Sequence, residues 1–225
     1  MNANIKRTVI TTLVVLVLGA GVWYALSLRD SAPANVSGAV ATVNGEEISR
    51  DEFNKLQARI SAEQGFDIAA LDAKAKAEFQ TQTIDSLVSQ TLLRQAAERS
   101  NTVSLDMDKK VEDEVNKIKG QFQDESAYND ALTTEGLTEE TLRTRIRSDL
   151  TTQAYLEKEL SLSTVSVTDA EMRIVYDQAA SGQSVPPFEE VRSQVEQMAI
   201  QQKQQQLVGA LVEKLRGEAD IKILI

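Results

Sequence analysis

The sequence predicts a mainly α-helical, multi-helix domain with a small sheet joining strands near its two ends, preceded by one N-terminal transmembrane helix. Three observations predict it. From Ser49 to Gly182 there is no proline, and apolar residues recur at helical spacing. Short alternating segments stand at Val40–Ile48 and again beyond Gly217. Val9–Leu28, VITTLVVLVLGAGVWYALSL, runs without a charge, and as a helix it would span roughly 30 Å, about one hydrocarbon core.

The apolar run comes first in the chain. Lys6 and Arg7 precede it and Trp23-Tyr24 sit near its far end, so residues 1–8 are expected in the cytoplasm and the body on the other side of the membrane. Ala32-Pro33-Ala34 has the small-residue pattern of a cleavage site, which would release a soluble exported protein. The run is longer than the roughly 7–15 apolar residues of a usual signal peptide, so residues 9–28 read as an uncleaved signal-anchor in contact with the lipid bilayer. Residues 29–38 are small and polar and read as a linker. Residues 39–225 form the folded domain.

VATV, Asn44-Gly45 and EEI make a strand, a dipeptide suited to a type I′ turn, and a second extended stretch. Ser49 and Glu52 form a capping box, with Ile48 and Phe53 placed as a hydrophobic staple. Phe53, Leu56 and Ile60 mark the first helix, and Phe79, Ile84, Leu87, Val88, Thr91 and Leu92 a long second one over about Asp72–Arg99. Val111, Val115, Ile118 and Phe122 mark a third, begun near Ser104. A short fourth covers Glu125–Thr134. Leu142, Ile146, Leu150 and Ala154 step along a fifth from Thr138 to about Leu160. Thr168 and Glu171 box a sixth that ends near Ala180. After Pro186-Pro187 a long helix carries Phe188, Val191, Val195, Met198, Val208, Leu211 and Leu215 on one face. Within it, Gln201–Gln206 reads as solvated helix. ADIKILI closes as a strand whose expected partner is VATV. Gly65, Gly120, Gly136 and Gly182 fall near ends of periodic runs, where helix C-caps favour glycine.

Composition removes much chemistry. Cysteine and histidine are both absent, which excludes thiol nucleophiles, histidine bases and most zinc, haem or iron–sulfur sites. The net charge is −10, and Lys6, Arg7 and Arg29 against Asp30 leave residues 31–225 at −12, a poor match for nucleic acid. No phosphate-binding glycine loop or nucleophile elbow is present. A calcium loop starting at Asp124 fails because Tyr128 takes a ligand position and Asn129 the turn glycine's place. Glu112-Asp113-Glu114 and Glu139-Glu140 read as helix-surface and first-turn acids. No catalytic, cofactor-binding or metal-ligating residue is assigned, and no cofactor is expected. What remains is surface. Phe53, Phe79, Phe122 and Tyr155 are either core rings or walls of an apolar groove.

The segments ATVNGEEISRDEF, TIDSLVSQTLLRQAAERSNTVS, ALTTEGLTEETLRTRIRSDL, VSVTDAEMRIVYD and PFEEVRSQVEQMAIQQKQQQLVGALVEKLRGEADIKIL, in that order, resemble the SurA-type periplasmic chaperone domain. The resemblance spans about Val40–Leu224. It implies an ATP-independent chaperone of a Gram-negative periplasm that holds unfolded exported polypeptides, especially outer-membrane proteins, in an apolar cradle. Phe53, Phe79, Phe122 and Tyr155 then become its candidate client-binding residues. Members of this family commonly carry a parvulin-type prolyl isomerase domain before the returning helix. Here only eleven residues separate Tyr176 from Phe188, so residues 176–188 read as a short bridge. No isomerase activity is carried over. With residues 9–28 as anchor, the expected place is the inner membrane with the C-terminal domain in the periplasm. The alternative function is a dedicated scaffold for one envelope partner, with isomerase activity a distant third. The sequence leaves the oligomeric state open.

Overall fold

The computed structural model describes residues 38–102, 106–180 and 185–225. The predicted cytoplasmic start, membrane span 9–28 and nearly all of the linker lie outside them, as do Ser104 and Gly182. Among the described residues no helix is long and apolar enough to cross a membrane.

The domain opens with β1 (Ala39–Val43) and β2 (Glu46–Ser49). Between them Asn44 has φ 53° and Gly45 φ 84°, both left-handed, as a two-residue type I′ turn requires. The predicted hairpin is therefore present. Ser49 then caps α1 (Arg50–Gln64), with both arms of the box to Glu52 formed. The staple pair Ile48 and Phe53 is buried in one cluster. At the far end Gly65 has φ 67°, its N–H donating to Ala62 C=O while the Phe66 N–H reaches Ser61 C=O. This is the Schellman arrangement, which needs a left-handed residue at that point.

A single 3-10 turn, Ile68–Ala70, leads to α2 (Ala73–Arg99), capped by Asp72. Then follow α3 (Met107–Lys119), α4 (Glu125–Thr134) and α5 (Glu139–Leu160). After a second 3-10 turn at Leu162–Thr164 come α6 (Asp169–Ala180), α7 (Phe188–Glu218) and β3 (Ile221–Ile223). Most bounds follow the expected caps, but α3 begins at Met107 after Asp106, which makes no side-chain cap bond, and ends at Lys119, so Phe122 lies beyond the helix on which spacing placed it. Asp124, read above as a failed calcium loop, accepts from the Ala127 N–H and caps α4. Gly120 ends α3 in right-handed geometry, so its place there does not rest on a left-handed turn.

The sheet has order β2-β1-β3, antiparallel throughout, with Ala41 opposite Ile223 and Val43 opposite Ile221. The expected return of the last strand to the first is thus met. Asn44 fastens it: its N–H donates to Asp220 C=O at 2.8 Å, and its side-chain oxygen accepts the Asp220 N–H at 3.0 Å.

Among the described residues four apolar clusters hold the fold. The largest joins Val40, Ala41 and Val43 to Ile84, Val88 and Leu92 of α2, Leu156 of α5, and Val208, Val212 and Leu215 of α7. A second packs Val111 and Val115 of α3 with Tyr128 of α4 and Leu142 and Ile146 of α5. A third pairs Met172 of α6 with Phe188, Val195 and Ala199 of α7. The fourth seats Phe79 between Leu56 and Ile60. α7 therefore serves two clusters, its first half facing α6 and its second half facing α2. Met198, placed on the buried stripe by spacing, is instead 50% exposed. Val195 and Ala199, one turn apart, take the contact with α6 and turn Met198 aside.

Candidate functional site

The four rings singled out in the sequence are not brought together. Phe53 and Tyr155 belong to the largest cluster, 2% and 7% exposed, and Phe79 lies in the cluster under α1. Burial also pushes the Tyr155 hydroxyl above its ordinary value. Phe79 is met edge-on by Phe66 at 5.3 Å between ring centres. Phe122 is half-buried against Tyr128, also edge-on at 5.7 Å. Three of the four thus stand where core rings stand, and only Phe122 presents part of its surface. Spacing cannot separate the two roles, because a core ring and a groove ring both sit on the apolar face of a helix.

Among the described residues an open concavity lies elsewhere. A trough of about 640 Å³ runs between the start of α3, the second half of α5, the second 3-10 turn and α7. Met107 of α3, Leu156 of α5 and Leu162 form its buried lining, and Leu150 and Ala154 of α5 are half-buried along it. Met107 and Leu150 belong to the second cluster, Leu156 and Leu162 to the first. The trough therefore follows the seam between two cores. A second hollow of about 660 Å³ continues along α3 past Asp113, Glu114 and Lys117, sharing Lys110 and Leu150 with the first. Its rim carries both signs of charge.

The seam is held by polar contacts that the sequence reading missed. Gln204 of α7 donates to Leu162 C=O at 2.8 Å and so fixes the turn that closes one end of the trough. Lys203 donates to Ser166 C=O at 2.9 Å and to Glu171 at 2.8 Å. Both belong to the Gln201–Gln206 run read as solvated helix. The available signal was position: a polar residue on the stripe that faces the protein needs a partner. The Lys203 ammonium, with the backbone N–H and hydroxyl of Thr168, holds the Glu171 carboxyl at about 2, well below its ordinary 4.5.

The acidic clusters also find partners. Arg143 of α5 reaches Glu112 at 2.6 Å and Glu139 at 3.1 Å, and Lys119 reaches Glu139 at 2.9 Å. The Arg143 guanidinium lowers the Glu112 carboxyl and chiefly Lys119 lowers that of Glu139. These pairs join α3 to α5 at the surface. Among the described residues no group of three acids is placed to hold a metal ion.

The family description SurA-like N-terminal domain matches residues 1–156. The chain belongs to that family. The matched part of the SurA-like chain runs through the hairpin and α1–α4 to Leu156 on the trough lining, and residues 157–225 add the turn, α6, α7 and β3 that complete the trough and the sheet. No curated protein matches the chain. Membership suggests a SurA-type, chaperone-like role toward polypeptide clients. Between α6 and α7 the SurA-like chain has only residues 181–187, too few for an independent domain.

Proposed function

We propose that the protein is an ATP-independent chaperone that holds unfolded or partly folded exported polypeptides, outer-membrane proteins among them, while residues 9–28 anchor it to the inner membrane with the domain in the periplasm. The observation that carries this reading is the trough along the seam of two cores, where Met107, Leu150, Ala154, Leu156 and Leu162 are interleaved with polar and charged side chains such as Lys110, Gln153 and Glu157. The apolar part of such a trough gains about 25 cal/mol for each Å² it covers, whatever the order of the client's side chains. Met107 supports tolerance of shape, since its thioether chain repacks easily. The rim would keep a loaded complex in solution. Release would need no nucleotide, because many weak contacts exchange as the client folds elsewhere. The reading assigns no catalytic step and no cofactor.

The test is light scattering after dilution of a denatured outer-membrane protein, with residues 35–225 present at near-stoichiometric ratio and no ATP. Suppressed scattering is expected. Leu150→Gln together with Ala154→Glu, which makes the trough polar, should abolish suppression while helix content by circular dichroism stays unchanged. Full scattering in the presence of the well-folded unaltered domain would sink the holding role.

A further inference from the structure

Among the described residues, three consecutive large apolar side chains stand about half exposed: Ile223 at 51%, Leu224 at 54% and Ile225 at 49%. Among the described residues β3 has β1 on one side only, so they lie at a free edge of the sheet. The Leu224 N–H donates to Val40 C=O at 2.9 Å, the Asn44 N–H to Asp220 C=O, and Thr42 stands opposite Lys222 between them. In an antiparallel ladder the hydrogen-bonded pairs alternate. Residues 220, 222 and 224 therefore turn their backbone groups toward β1, and Ile221, Ile223 and Ile225 turn theirs outward. Such a row is a template for another strand.

We propose that this edge pairs antiparallel with the same edge of a second copy, about a two-fold axis through Ile223. The segment Ile221-Lys222-Ile223-Leu224-Ile225 is a palindrome at its outward positions. In that register Ile223 meets Ile223 of the second copy, and Ile221 meets Ile225, each in a pair that exchanges both backbone hydrogen bonds. Ile221 and Ile223 stand opposite Val43 and Ala41, which are fully buried, so the isoleucines extend the sheet's core-facing side across the axis. Lys222 points to the other face and is paired with Asp220 at 2.9 Å. It does not block the apolar row, although an edge lysine on that row would. The acidic body would drive copies apart, but the sequence that leads into this edge is balanced in charge: Glu213, Glu218 and Asp220 against Lys214, Arg216 and Lys222. Pairing would turn two three-stranded sheets into one of six. It stands independently of the holding role.

The chain has no cysteine, so a single introduced thiol reports the register. Paired residues of this kind have Cα atoms about 5.5 Å apart, within the roughly 4.4–6.8 Å that a disulfide spans. In the full-length chain in detergent micelles, Ile223→Cys should form a covalent dimer under mild oxidation. Lys222→Cys alone should not, because it faces position 224 of the second copy, whereas a mixture of Lys222→Cys and Leu224→Cys chains should. Ile223→Pro removes an outward N–H and leaves the bonds to β1 intact, so it should abolish the dimer in sedimentation equilibrium with the domain still folded. Equal crosslinking at positions 222 and 223, a monomer at every concentration of the unaltered chain, or crosslinking of Ile223→Cys only to an added unfolded polypeptide would each overturn the proposal. The last would assign the edge to client strands instead.

Discussion

Phe53 packs the start of α1 against the sheet. At 2% exposure, enclosed with Ile48 in the largest cluster, it carries the first turn of α1 onto the hairpin, and its removal would leave a cavity. Phe53→Ala should cost about 3–5 kcal/mol in chemical denaturation. A loss under 1 kcal/mol, accompanied by weaker client holding, would return the ring to a binding role. Ser49 beside it sets the helix start, and Ser49→Ala should cost about 1 kcal/mol in the same measurement. Glu171 supplies a pH signal. Its folded value of about 2 lies below its ordinary 4.5, so its contribution is present above the ordinary value and is lost as pH falls through the folded one. Stability should therefore decline between pH 4.5 and 2 more steeply in the native chain than in Glu171→Gln. Parallel pH profiles would remove Lys203 from the account.

The elements are placed by a few long-range polar contacts laid over apolar stripes. Asn44 is the clearest. Its left-handed turn makes the hairpin, its side-chain oxygen holds Asp220, and its amide donates to Gln95 of α2 at 2.8 Å. Gln95 in turn donates to Val43 C=O and to Glu46, which Arg94 also binds. One turn thus fixes β1, β3 and α2 together. Asn44→Gly keeps the backbone conformation and deletes both side-chain bonds, so a loss of about 1–2 kcal/mol is expected, read by denaturant midpoint. An unchanged midpoint would mean that the apolar contacts place β3 unaided. α7 shows the complementary case, since Lys203 and Gln204 interrupt its apolar face at the point where it passes from α6 to the seam.

At the scale of the whole molecule, α6 packs on the first half of α7 around Met172 and Phe188, and the cluster does not merge with the one around α2. Phe188 is flanked by Tyr176 edge-on at 5.5 Å and by the Arg173 guanidinium at 4.6 Å, so the pair closes on itself. Native-state hydrogen exchange should show α6 and Phe188–Ala199 opening below the free energy of α2. Equal protection would make the molecule one cooperative unit. The order of elements, both capping boxes, the type I′ turn and the return of the last strand to the first were legible in the sequence, because each rests on local spacing or on the rule that a lone strand needs a partner. The chemistry that histidine and cysteine would supply was excluded by composition alone. Only the tertiary structure decided that Phe53, Phe79 and Tyr155 lie in cores, that Gln204 guards a seam, and that Leu150 and Met107 border open space. The apolar pattern of a helix says which face turns away from water in general, whereas the gap between two packed cores depends on how far each cluster fills the space between the helices they share.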